Sequence, residues 1–440
     1  MTRIAFLGAG SAVFTRQLLV DLLRYDDLPT LEIALHDIDP DRLEIARATA
    51  EHVAARLGKP LQVVATLDRR EALTGATAVV IMIQVGGVAA TYVDLQIPAK
   101  YGLRQTIGDT TGVGGVFRGL RTFPVISQIA RDVLDVCPDA WVLNYTNPMA
   151  MNVWWWSIAA PAVKTVGLCH SVFWTVHGLN ELIGVPLDGT TYAAAGVNHQ
   201  AWLTEWSRDG QSLYPLLDAK IAENPELERR VRVEMYRRIG YYPTETSEHS
   251  SEYLSWFLRS DEQIDHYRIE PLQYLGISDS NVAEVTEARR RLAAGEDLDL
   301  PDGDDAAEYA PQIIHSLLTG TERWIHANVP NAGLIDNLPQ GAAVEVPAFV
   351  DRDGVHPKAV GAIPTAGAAL NRTYLSVAEL AVEAALTGDA RTVRQAVLVD
   401  GNASSTLTPQ QIWDLCDELT TAHKSLLPRS LGGDVELVLP

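Results

Sequence analysis

A chain of 440 residues, 47% of them hydrophobic, can bury a substantial core, and its length predicts two closely packed lobes. The formal charge of −21 argues against nucleic acid and anionic membranes as partners, because a phosphate backbone rewards Lys and Arg. No apolar run reaches the roughly 20 residues of a membrane span, and the N-terminus lacks a signal-peptide pattern. The three scattered cysteines (Cys137, Cys169, Cys416) build no disulfide framework, so a reducing, cytoplasmic location is expected.

In chain order, residues 4–7 form a short apolar strand that enters the turn Gly8-Ala9-Gly10-Ser11. Apolar positions three and four apart then predict a helix over 13–23. A second strand over 31–35 ends at His36-Asp37-Ile38-Asp39-Pro40. The helix over 41–57 that follows is capped by Asp39 or Asp41. Val63 and Val64 mark a third strand, residues 78–84 a fourth, and 141–144 and 165–169 two more. Strands alternating with helices predict an α/β class with a parallel, doubly wound Rossmann-type sheet. Further on, the pattern reads as antiparallel sheet over 192–206 and as mostly helical after about 220, with an acidic solvated loop over 296–305. The expected organisation is a Rossmann domain over 1–195 and a mixed α+β domain over 196–440. Trp154-Trp155-Trp156 reads as core or interface.

The glycine turn lies between a strand and a helix, where backbone N–H groups and the helix N-terminus face an incoming pyrophosphate. Val13 replaces the third glycine of the usual fingerprint. Asp37 ends the next strand, where a carboxylate accepts from both ribose hydroxyls and repels a 2′-phosphate. NAD is therefore expected rather than NADP, on Gly8, Gly10, Ser11 and Asp37. The plainer alternative is a tight turn with an ordinary capping Asp. Val85 and Gly86 give a second close backbone approach, and Asn144 stands where an amide would face a nicotinamide.

A second constellation comprises Gly167-Leu168-Cys169-His170-Ser171 and Gly196-Val197-Asn198-His199-Gln200. Cys169 ends a parallel strand, at the edge where such sheets bind ligands. A thiolate and an imidazole with open positions suit a divalent ion that polarises an oxygen, although a core cysteine and a structural histidine fit the same pattern. The run Tyr241-Tyr242-Pro243-Thr244-Glu245-Thr246-Ser247-Glu248-His249, with Glu252 and Tyr253 after it, is dense in carboxylates, imidazole and phenols for a structural loop.

With these runs, Ile107-Gly108-Asp109-Thr110-Thr111-Gly112, Asn144-Tyr145-Thr146-Asn147-Pro148-Met149 and Asn328-Val329-Pro330-Asn331, the chain resembles glycoside hydrolase family 4, and most closely its α-galactosidase branch. Members are NAD- and metal-dependent, unlike glycosidases that use two flanking carboxylates. The resemblance implies a lactate/malate dehydrogenase-like fold and a homodimer or homotetramer acting on a small glycoside. It also implies transient hydride removal from C3 by NAD⁺, with a divalent ion, usually Mn²⁺, on the C2 and C3 oxygens. Deprotonation at C2, elimination of the leaving group, water addition and hydride return complete the cycle. Carried onto this sequence, Cys169 and His199 match the metal ligands and Asn147 the substrate asparagine, with Asp109 a sugar-hydroxyl ligand. His170 stands where another branch has an acidic general acid, so it is either the acid or a substrate contact. For the base, Tyr253 is the first choice and Tyr241 the second. An α-galacturonidase, an α-glucosidase or α-glucuronidase, or a plain NAD-dependent dehydrogenase remain alternatives.

Overall fold

The computed structural model describes residues 2–300 and 308–440, so the acidic loop expected over 296–305 lies partly outside the described residues. Six strands run parallel: β1 (Thr2–Leu7), β2 (Leu31–His36), β3 (Leu61–Thr66), β4 (Ala76–Ile81), β5 (Trp141–Asn144) and β6 (Lys164–Gly167). Their order, β3-β2-β1-β4-β5-β6, is that of a dinucleotide fold, with the strand order reversing between β1 and β4. Helices cover both faces of such a sheet, which is why Ile4, Ala5, Phe6 and Leu7 form an unbroken apolar run and are all buried.

The sheet continues past β6. Antiparallel strands β7 (Thr190–Val197), β8 (Gln200–Arg208), β9 (Gln211–Ser212), β10 (Arg323–Pro330) and β11 (Ala343–Asp351) extend it in the order β6-β10-β11-β7-β8-β9, and β12 (Gly354–Pro357) pairs with β11. The joins are narrow: Asn328 faces Gly167 between β10 and β6, and Glu345 faces Gly196 between β11 and β7. They bring the loop after β6 and the β7–β8 turn to one edge. Position 195 lies inside β7. The strands β10 to β12 fall in a stretch expected to be mostly helical, since their pairing partners are too remote for local periodicity to register.

Local signals behave as their chemistry requires. Asp39 caps the helix Pro40–Leu57, accepting from the N–H groups of Asp41 and Arg42, and Gly58 closes it in the left-handed conformation. The buried helix Gly112–Val136 carries Arg118 and Arg121, and helices Met149–Ala159 and Thr365–Thr387 pack against it. Trp155 stacks on Phe123 at 4.6 Å and donates to Ser127 Oγ at 3.0 Å, so the tryptophan run is core. Strand β6 stops at Gly167, which puts Cys169 in the following loop and His170 at the N-cap of helix Ser171–Ile183. Among the described residues, no helix is long and apolar enough to cross a membrane.

Candidate active site at the carboxyl edge of the sheet

The glycine turn is built by two glycines that tolerate no side chain. Gly8 has φ +85°, and a Cβ there would lie 2.8 Å from the Met82 carbonyl oxygen. At Gly10 a Cβ would lie 2.5 Å from Asp37 Oδ2. The N–H groups of Gly8 and Ala9 donate to the His36 carbonyl, and that of Gly10 donates to Asp37 Oδ2 at 2.7 Å. Asp37 Oδ1 accepts from Asp39 N at 3.0 Å. Asp37 therefore braces the turn, and each oxygen keeps a lone pair for a ribose hydroxyl.

Ser11, at the end of that turn, lines a cleft of about 300 Å³ whose walls include Asp109, Arg118, Asn147, Cys169, His170, His199, Glu245, His249, Tyr145 and Tyr274. Arg118 is the one Lys or Arg among the described residues lining it. At its centre Cys169 Sγ lies 3.3 Å from His199 Nε2, which lies 3.6 Å from a Glu245 carboxylate oxygen. His199 sits in the β7–β8 turn at φ +64°, an uncommon conformation for histidine and one that strained functional positions share. Its Nδ1 contacts Thr110 Oγ1 at 3.0 Å and the Tyr253 hydroxyl at 3.3 Å. One donor atom each from Cys169, His199 and Glu245 lie within 4.8 Å of one another, and the same holds for Asp109, His199 and His249. Sulfur, nitrogen and oxygen donors converging on one point fit a divalent cation with positions left open. Burial, and then the Glu245 charge, push the Cys169 thiol up to about 12, so a cation is what would hold it as thiolate.

Beside this cluster Asn147 Nδ2 donates to Asp109 Oδ2 at 2.9 Å, and Thr110 Oγ1 donates to Asp109 Oδ1 at 2.7 Å. Burial would raise the Asp109 carboxyl, but Arg118, His249 and His199 outweigh it and hold it at about 2. Glu252 clasps the same loop from beneath, accepting from the N–H groups of Thr106, Ile107 and Gly108. His170 Nδ1 meets Glu308 Oε1 at 2.7 Å; burial works against the imidazolium, and Glu308 overcomes it, raising His170 to about 9.

Cys169, His199, His170, Asp109, Asn147 and Ser11 thus share one cleft, while other expected residues do not line it. Tyr253 is buried behind the imidazoles, its hydroxyl 2.7 Å from His249 Nδ1, and burial drives its pKa well above the ordinary phenol value. Tyr241 packs half-buried against the core. Asn144 is fully buried, its Nδ2 donating to the Thr146 carbonyl at 3.1 Å, so it braces the turn after β5. Val85 gives its carbonyl to Arg121 Nε at 2.9 Å, and Gly86, at φ +83°, backs onto Leu426. Glu245, His249, Tyr145, Tyr274 and Glu308 belong to the site but were not singled out from sequence. The density of the 244–249 run was the available signal for the first two; Glu308 gave none.

A doubly wound sheet with a glycine turn at one side of a cleft and a thiol–imidazole–carboxylate cluster at the other defines an α/β enzyme of the dehydrogenase-like fold. The chain belongs to family 4 of the glycosyl hydrolases: the family's model matches residues 3–185, and that of the family 4 glycosyl hydrolase C-terminal domain matches 194–402. It is 38% identical to an α-galactosidase of Bacillus subtilis over 97% of this chain and 99% of that one. An α-galactosidase of Rhizobium meliloti is 35% identical over 97% and 89%. A 6-phospho-α-glucosidase from gut microorganisms, solved in complex with NAD and Mn²⁺, superposes with TM-score 0.83 at 22% identity, covering 97% of this chain and 99% of that one. Malate dehydrogenase of Plasmodium falciparum shares the fold more distantly, with TM-score 0.52 at 14% identity over 88% and 99%.

Proposed function

We propose that the chain hydrolyses non-phosphorylated α-galactosides with NAD and a divalent cation, Mn²⁺ first, as recycled cofactors. The observation that carries this reading is that Ser11 of the glycine turn and the Cys169–His199–Glu245 cluster line one cleft. When bound, NAD⁺ would hold a hydride from the sugar for the length of one turnover, and the cation would polarise neighbouring sugar oxygens.

The chain's own residues supply the rest. Cys169 and His199 hold the cation. Asp109, kept ionised, and Asn147 accept from and donate to sugar hydroxyls and fix the ring. His170 faces the leaving oxygen as the protonated donor. Tyr274 is the phenol we assign to take the C2 proton, since it opens on the cleft with the Arg118 guanidinium 5.9 Å from its ring centroid. Burial raises the Tyr274 hydroxyl, and the Arg118 charge opposes that rise. Tyr253 instead holds His199 and His249 in place. A neutral sugar is supported by the cleft lining: among the described residues Arg118 is its one Lys or Arg, and the ionised Asp109 stands near enough to act on that charge. Free Cys137, Cys169 and Cys416 suit a reducing cytoplasm, and a homo-oligomer is expected.

The test is hydrolysis of nitrophenyl α-galactoside by protein stripped of nucleotide and metal. Activity should require NAD⁺ and Mn²⁺ together, accumulate no NADH, and incorporate solvent deuterium at C2. Full activity without NAD⁺, or one NADH per product, would sink the proposal. Faster turnover of α-galacturonides or 6-phosphoglycosides would overturn the substrate assignment alone.

A further inference from the structure

Glu245 is a carboxylate held in place with nothing conventional to hold. It is a non-glycine residue at φ +73°. Its backbone N–H donates to Thr175 Oγ1 at 3.1 Å, and that hydroxyl is met by Arg232 Nη1 at 3.1 Å, so the strained loop is pinned onto the helix that starts beside Cys169. The side chain is 14% exposed and reaches inward. Among the described residues its carboxylate lies 3.6 Å from His199 Nε2 and 3.9 Å from His249 Nε2, beyond hydrogen-bond distance of either. A carboxylate so largely withdrawn from water is costly unless a cation meets it. The Cys169 sulfur also lies within 4.8 Å of both its oxygen and His199 Nε2. One ion can touch all three.

We infer that Glu245 is a third protein ligand to the divalent cation, beside Cys169 and His199. This rests on the proposed reading that those two residues hold the ion. A thiolate–imidazole pair by itself favours soft and borderline ions, and adding a carboxylate shifts preference toward harder Mn²⁺. It would also take a coordination position otherwise open to water.

The experiment is Mn²⁺ binding to the NAD⁺-loaded, full-length enzyme, read by calorimetry and by loss of the free-ion EPR signal, with Zn²⁺ binding measured in parallel. Glu245→Gln should weaken Mn²⁺ binding about tenfold or more and weaken Zn²⁺ binding less. His199→Asn is the control for the underlying reading. If H199N binds Mn²⁺ as the parent does, that reading fails. If H199N loses the ion but E245Q keeps parental affinity, the inference about Glu245 alone is overturned. Should E245Q lose NAD⁺ binding through misfolding, Glu245→Asp takes its place, with weakened Mn²⁺ affinity expected and unchanged affinity decisive against. A crystal structure with Mn²⁺ separates direct ligation from support at a distance. A Glu245 oxygen within about 2.2 Å of the ion is expected, and one beyond about 3 Å overturns the inference.

Discussion

His170 Nδ1 and Glu308 Oε1 meet at 2.7 Å although 138 residues separate them in the chain. Glu308 is buried, and it fixes the imidazole so that Nε2 is the nitrogen turned away from the pair. A histidine so held has a defined proton to give. Glu308→Ala should therefore slow turnover by about 10²-fold or more on alkyl α-galactosides, whose leaving groups need protonation. On nitrophenyl α-galactoside, which leaves readily as an anion, the loss should be much smaller. Comparing kcat on the two substrates checks this, and equal losses would show that His170 only contacts substrate.

The glycine turn makes a second case. A methyl group at Gly10 would stand 2.5 Å from Asp37 Oδ2 and 2.7 Å from Arg42 Cβ. It must displace the carboxylate that braces the turn and that, in the proposed reading, takes the ribose. Gly10→Ala should raise the NAD⁺ Kd at least tenfold, about 1.4 kcal/mol, while Mn²⁺ binding stays near parental. Fluorescence titration of NAD⁺ against the variant measures it, and an unchanged Kd would move the nucleotide away from this turn.

Much of this was legible in sequence, for identifiable reasons. Parallel strands buried on both faces leave unbroken apolar runs, so β1, β2, β4 and β5 showed at once. Cys169 and His199 stood out because each follows a short, glycine-led run after a strand, and the fold brings the two side chains to 3.3 Å of one another. Tyr253, the first choice for the base, places its hydroxyl 2.7 Å from His249 Nδ1 and does not line the cleft. Tyr274 faces the cleft from a helix with no marked motif. Glu308 meets His170 across 138 residues, and no local spacing encodes such a contact.

Asp400 provides a test of stability rather than activity. It is buried, caps the short helix Gly401–Thr406 by accepting from Ala403 N at 2.8 Å, and lies against Gly112, where the long buried helix begins. Burial raises its carboxyl from 3.8 to about 6, with the backbone N–H bonds only partly offsetting that rise. The folded state thus retains the proton longer than the unfolded chain. This group's stabilisation is complete below about pH 4 and is lost as pH rises through about 6. Asp400→Asn keeps the capping oxygen but removes the charge. Urea unfolding should find the variant equal to the parent near pH 4 and more stable near pH 7, by on the order of 1–3 kcal/mol. A constant difference across that range would contradict the assignment.

The last prediction concerns how the C-terminal part of the chain is fastened to the cofactor side. Arg121 is fully buried and pairs bidentately with Asp94, at 3.0 and 2.6 Å, while its Nε donates to the Val85 carbonyl. His423, near the end of the chain, adds a contact to Asp94 Oδ1 at 2.8 Å. The pair is desolvated, so its presence says little about net stability, but removing one partner strands the other charge. Arg121→Met should cost about 3–5 kcal/mol in denaturant unfolding and should loosen the Val85–Gly86 segment, raising the NAD⁺ Kd as well. Asp94→Asn added to Arg121→Met should recover much of the stability, because no unpaired carboxylate is left, but little of the NAD⁺ affinity, because the Val85 carbonyl still lacks its donor. If the double variant is as unstable as the single one, Arg121 contributes through packing volume and not through charge.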